Sequence, residues 1–160
     1  GAMSPAQTVA RSFARIRDHN DPAVFISLRD EKDALAEAEA LSKKDPAQLP
    51  LYGIPVAVKD VFCTKGVKTT CAAPLFSDHV PDYDSAVVGK LYEAGAVIVG
   101  KTHMHELAYG VTSNNPHYGP VRNPWNVSHV PGGSSSPRTK GSSGRHKRSC
   151  ARQQSRSGAT

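Results

Sequence analysis

The chain has 160 residues, 38% of them hydrophobic, and a formal net charge of +6, a length that fits one domain of ordinary size or part of a larger one. The charge is segregated: residues 1–136 hold 13 Lys and Arg against all 14 Asp and Glu, a net of −1, and residues 137–160 hold the other seven basic residues and no acid. The basic average describes the last two dozen residues, so it excludes reading the rest as a nucleic-acid binder on charge alone.

Three cysteines (Cys63, Cys71, Cys150) form no C-x-x-C pair and are odd in number, which points to reduced thiols in a cytoplasmic protein. No run of about 18 apolar residues occurs, so no membrane span is expected, and no signal peptide is read. The opening Gly-Ala-Met resembles a cloning scar, which leaves 4–136 as the folding unit.

Val9, Phe13 and Ile16 recur at helical spacing until Asp-His-Asn-Asp-Pro stops them. "AVFISL" (23–28) reads as a short strand. Residues 29–45 read as an amphipathic helix with Leu35, Ala38 and Leu41 on one face and acids in its first turn, where the helix dipole favours them. Pro46 and Pro50 open the next loop. "GIPVAVKDVF" (53–62) is expected to be a buried strand. Residues 84–95 are expected to be a helix capped by Asp84 or Ser85 and closed by Gly95. "AVIVGK" (96–101) is a second buried strand, and "HMHELAYG" (103–110) a further short helix. Strand, helix and strand in that order make a βαβ unit and a partly parallel sheet, hence an α/β fold. Residues 111–136, rich in Pro, Asn, Gly and Ser, read as ordered loop.

Four short patterns bear on chemistry. "GAVIVGKT" (95–102) fits the phosphate-loop expression G-x-x-x-x-G-K-[ST]. Its interior holds three β-branched residues, which favour extended backbone and resist the tight curl such a loop needs, so it is read as a strand. His103 and His105 lie two apart and cannot share a helical face. With the other histidines scattered, no metal site is expected, and no cofactor. Lys59 ends an apolar strand. Such a lysine usually keeps its ammonium in water, but held in the sheet layer it would be desolvated and become a better base. "PGGSSS" (131–136) alone is a flexible linker with hydroxyls able to relay a proton.

Taken together, "LYGIPVAVKDVF", "TTCAA", "DYDSAVVGKLYEAGAVIVGKTHMHELAYG", "NPW" and "VPGGSSS" come in the order and spacing of the amidase signature family, and the resemblance covers about residues 51–136. The preceding helices with "DPAVFISL" are similar to the start of allophanate hydrolases. "MHELAYGVTSNN" is similar to mandelamide- and indoleacetamide-type amidases and to the A-type subunits of glutamine amidotransferases. The resemblance implies a mixed sheet covered by helices, present here as its N-terminal portion, and a Ser–cisSer–Lys triad. Lys59 matches the base. Ser134, after a non-proline cis peptide, matches the bridging serine. Tyr109, Gly110 and Ser135 are assigned to substrate binding on the same basis. The implied activity is hydrolysis of a small-molecule carboxamide through an acyl-enzyme.

The family's nucleophilic serine closes a later Gly-Gly-Ser block, and none follows Ser134 in this sequence. Residues 137–160 contain no Val, Ile, Leu, Met, Phe, Trp or Tyr, so they are read as a disordered basic tail of frameshift character, with an evolved tail as the alternative. The second functional reading is a non-enzymatic module related to amidotransferase subunits, with nucleic acid met only non-specifically through that tail. A homodimer stays open.

Overall fold

The computed structural model describes residues 3–135; the basic segment read as a tail lies outside them. Helix α1 spans Pro5–His19 and starts on a capping box, in which Ser4 and Gln7 each accept from the other's backbone N–H. It ends on Asn20, whose left-handed backbone (φ 45°) turns the chain toward β1, Phe25–Leu28. Helix α2 spans Glu31–Leu41, shorter than the pattern suggested, because Asp30 caps it by accepting from the N–H groups of Lys32 and Asp33. Its inner face is Ala34, Ala38 and Leu41, with Leu35 at the margin.

Strand β2 (Pro55–Lys59), helix α3 (Ala86–Glu93) and strand β3 (Val97–Thr102) form the expected βαβ unit, with β2 and β3 parallel and β1 antiparallel on the other side of β3. The strand order β1-β3-β2 puts β3 in the middle and buries it throughout, the environment its apolar run calls for. Strand β2 is an edge of this sheet. Only Val58 within it is buried, so the buried strand expected over 53–62 is five residues long and mostly half-exposed. Val97 and Val99 face Val9, Phe13, Ala34, Ala38 and Leu41 of α1 and α2, whereas Ile98 meets Val88 and Val58 under α3. One strand thus carries two cores. Fully burying residues of this size contributes about 1.5–3 kcal/mol each.

Ser85 occupies the N-cap of α3, one of the two positions expected, although its hydroxyl makes no cap bond, and Asp84 accepts from the N–H of Lys65. One expectation fails locally. Residues 103–110 are not an α-helix. They hold a single 3-10 turn, Glu106–Ala108, whose Leu107 and Ala108 have left-handed backbone (φ 50° and 61°). The reading of 111–136 as ordered loop holds over its described part, apart from a two-residue ladder between β4 (Asn114–Asn115) and β5 (Gly119–Pro120). Among the described residues no helix is long and apolar enough to cross a membrane.

Candidate active site

Lys59 is the last residue of β2, opposite Thr102 at the end of β3. It is half-buried, and its Nζ donates to Ser134 Oγ at 2.7 Å, across 75 positions of sequence. The Gly133–Ser134 peptide is cis. Three bonds hold this segment: Ser134 O accepts from the N–H of His105 at 3.1 Å, Ser113 Oγ donates to Gly132 O at 2.6 Å, and Ser135 bridges to Met104. Gly133 lies so close to the 110–111 backbone that a Cβ there would stand 2.6 Å from the carbonyl carbon of Val111 and 2.8 Å from Gly110 O. Only glycine fits that approach.

Gly110 therefore flanks the Ser134 segment, and its own Cα is covered by the ring of His105. Ser135 is exposed beside Ser134, and Tyr109 projects from the same turn with 91% of its surface in solvent. Of the residues assigned from the motifs, Lys59, Ser134, Ser135 and Gly110 thus gather beyond the ends of β2 and β3, while Tyr109 stands in solvent next to Gly110.

The motif reading did not single out the buried machinery beneath them. Asp60 and Lys101 have no exposed surface, and their charged atoms stand 3.5 Å apart. Asp60 Oδ2 accepts from Thr70 Oγ1 (2.6 Å), Thr70 N–H (2.9 Å) and Ala72 N–H (3.3 Å). Lys101 Nζ donates to Phe62 O and Thr69 Oγ1, each at 2.6 Å. Burial pushes the Lys101 amine below its ordinary pKa, and Asp60 opposes that shift. The lysine of the rejected phosphate-loop match is thus a buried partner of Asp60, on a strand as expected. In the sequence Asp60 and Lys101 lie 41 positions apart, and only the parallel pairing of β2 with β3, which sets Lys101 opposite Val58, brings them together.

Six non-glycine residues among those described have left-handed backbone. One, Asn20, ends α1, and the other five (Cys71, Ala72, Leu107, Ala108, Ser113) lie in the loops around Lys59 and Ser134. Such conformations cost about 1–2 kcal/mol per residue and persist only where surrounding bonds enforce them, commonly at functional sites. His103, of the "HMHE" cluster, sits in the same layer and donates from Nε2 to Gly119 O at 3.0 Å. Burial holds its pKa below the ordinary histidine value. No three His, Cys, Asp or Glu side chains converge among the described residues.

The Lys59–Ser134 contact therefore stands at the end of a parallel strand pair, with the serine on a glycine-rich cis segment. The Amidase family matches residues 7–137. The chain belongs to the amidase family. One family relative, the A-type subunit of the glutamyl-tRNA(Gln) amidotransferase of Geobacter metallireducens, is 47% identical over 138 residues, covering 84% of this chain and 28% of the relative. Among solved structures, the Kluyveromyces lactis allophanate hydrolase superposes with a TM-score of 0.71 at 35% identity, over 83% of this chain and 22% of that one. The corresponding glutamyl-tRNA(Gln) amidotransferase subunit from Thermotoga maritima gives 0.66 at 35% identity, over 82% and 27%. The chain thus spans less than a third of the length of these amidase-family proteins, and its mixed sheet with covering helices is the N-terminal part of their fold.

Proposed function

We propose that the chain provides the base and the relay of an enzyme that hydrolyses the C–N bond of a small-molecule carboxamide. The observation that carries this reading is the 2.7 Å contact of Lys59 Nζ with Ser134 Oγ. In the resting geometry the amine donates. In the reaction the direction reverses: an unprotonated Nζ accepts the Ser134 proton while Ser134 Oγ accepts the proton of a nucleophilic hydroxyl supplied by the family's later Gly-Gly-Ser block. The hydroxyl oxygen adds to the amide carbon, the proton held on Lys59 returns through Ser134 to the departing nitrogen, and ammonia or an amine leaves. Water then attacks the ester by the same relay. Tyr109, Gly110 and Ser135 border the amide. The free thiols Cys63 and Cys71 support the reduced, cytoplasmic setting drawn from the cysteine count.

The 47% identity to an amidotransferase component favours a second reading with the same cleavage, in which the released nitrogen passes to an acceptor. In that case ammonia release alone would undercount turnover.

The test uses a hybrid in which residues 3–135 replace the matching segment of the Geobacter metallireducens protein. Lys59→Ala is expected to lower amide hydrolysis by several orders of magnitude, because triad members act as a unit. Circular dichroism should stay unchanged. Activity of the variant within about tenfold of the parent would overturn the assignment.

A further inference from the structure

Asp60, Thr70 and Lys101 take no step in the proton relay, yet they connect its two ends. On the lysine side, Asp60 directly follows Lys59, and its N–H donates to Thr102 O at 3.2 Å. Its carboxylate carries the 70–72 turn through three bonds, and Lys101 ties the same short stretch, at Phe62 O, to Thr69. On the serine side, Cys71 O accepts from the N–H of Leu107 at 2.9 Å, the N–H of Ala108 donates to His105 O at 2.9 Å, and His105 N–H reaches Ser134 O. Asn115, also buried, adds a second tie by donating from Nδ2 to Ala72 O at 2.8 Å. A continuous hydrogen-bonded path therefore runs from the residue after Lys59 to the carbonyl of Ser134. It passes through four residues held in left-handed backbone, Cys71, Ala72, Leu107 and Ala108.

We propose that Asp60, with Thr70 and Lys101, is a positioning brace that fixes where the Lys59 amine meets the Ser134 hydroxyl. The inference rests on the amidase reading above. A buried ion pair is a poor source of net stability, because desolvating both charges offsets most of their attraction. Its value here is geometric. The carboxylate is the one group that accepts from the backbone on both sides of Cys71, so it selects a turn that no glycine favours. Cys71 itself contributes main-chain groups to the path, its N–H donating to Asp60 O at 3.1 Å.

The decisive variant is Thr70→Val, which keeps the β-branched shape but removes the shortest bond to Asp60; Thr70→Ser restores the hydroxyl. In the 160-residue chain, amide hydrogen exchange at Cys71, Leu107 and His105 should quicken by about tenfold in Thr70→Val and stay near the parent rate in Thr70→Ser. In the hybrid enzyme, Thr70→Val should lose about 100-fold in kcat, the scale of a misplacement of about 1 Å, with KM within about threefold. Thr70→Ser should recover most of it. Unchanged exchange in Thr70→Val, or a kcat within about threefold of the parent, overturns the brace. So does a loss matched by a fall in titratable active sites, which marks a purely structural role. If Lys59→Ala measured alongside remains active, the triad reading itself falls and the brace with it. If Lys59→Ala is inactive while Thr70→Val is not, only the brace falls.

Discussion

His103 shows how burial decides the state of a single residue. The imidazole has no exposed surface, Nε2 donates to Gly119 O, and Nδ1 is buried without a hydrogen-bond partner. A neutral ring has one donor, so the proton sits on Nε2 and Nδ1 is bare. Protonating Nδ1 would place an unpaired charge in the interior, which is why burial holds the pKa below the ordinary value near 6.5. The sign of the linkage follows. Above about pH 6.5 the folded and unfolded chains both carry a neutral ring and the full stability is present; as pH falls, the unfolded chain takes up the proton first and stability is lost. Urea midpoints of the 160-residue chain should therefore drop between pH 7.5 and 5.5. His103→Asn should flatten that dependence at some cost in stability at pH 7.5. A slope that survives the substitution would assign it to another group. The motif pattern weighed this residue with His105 only as a metal ligand and set it aside on spacing, because its partner, Gly119 O, comes from the hairpin at 114–120, whose two-residue strands have no readable period.

At the scale of elements, whatever rests on local pattern was readable. Helices α1, α2 and α3 and strands β1, β2 and β3 follow from apolar spacing and caps, and the parallel pairing of β2 with β3 follows from their order. What escaped the pattern depends on distant groups. Residues 103–110 have helical composition, but Leu107 is pinned to Cys71 O and His105 to Ser134 O, and those bonds impose left-handed turns on Leu107 and Ala108. The site divides in the same way. Lys59 and Ser134 became visible only when five sequence blocks were read together, since each alone favours a wet lysine and a linker, whereas Asp60 and Lys101 needed the fold to show that they meet. Local rules do predict the end of α3, where Gly95 (φ 86°) forms a Schellman closure through Gly95 N–H to Tyr92 O and Ala96 N–H to Leu91 O. Gly95→Ala should lose about 1–2 kcal/mol, the cost of a left-handed L-residue, and its Cβ would also press within 3.0 Å of Leu49 Cβ. Gly89→Ala, inside the same helix with open space around its Cβ, should gain about 0.5–1 kcal/mol. Equal effects in denaturant titrations would mean that helix propensity, and not the closure, governs both.

For the molecule as a whole, the distribution of charge decides which partners are attracted. The described residues carry 13 basic and 14 acidic side chains, and Lys101 and Asp60 neutralise each other in the interior, so the folded surface is close to neutral. The basic charge outside the folded part makes non-specific contact with nucleic acid the case to test. Sequence-specific recognition of single-stranded RNA commonly uses aromatic side chains on which bases stack, and residues 137–160 contain no Phe, Trp or Tyr and a single histidine, His146. Their seven basic side chains can still neutralise phosphates. Binding of this kind releases counterions, so the logarithm of affinity falls with that of salt by about 0.7 per phosphate contact on a single strand. Fluorescence anisotropy with a labelled RNA oligomer should show binding at low salt that collapses between about 50 and 200 mM. It should be indifferent to sequence and lost when residues 137–160 are removed. The chemistry proposed above needs no such contact, because the Lys59–Ser134 relay it invokes would act on a neutral amide. RNA binding by residues 1–136 alone, retained at about 200 mM salt, would instead identify a recognition surface on the folded part and bring the amidotransferase reading forward.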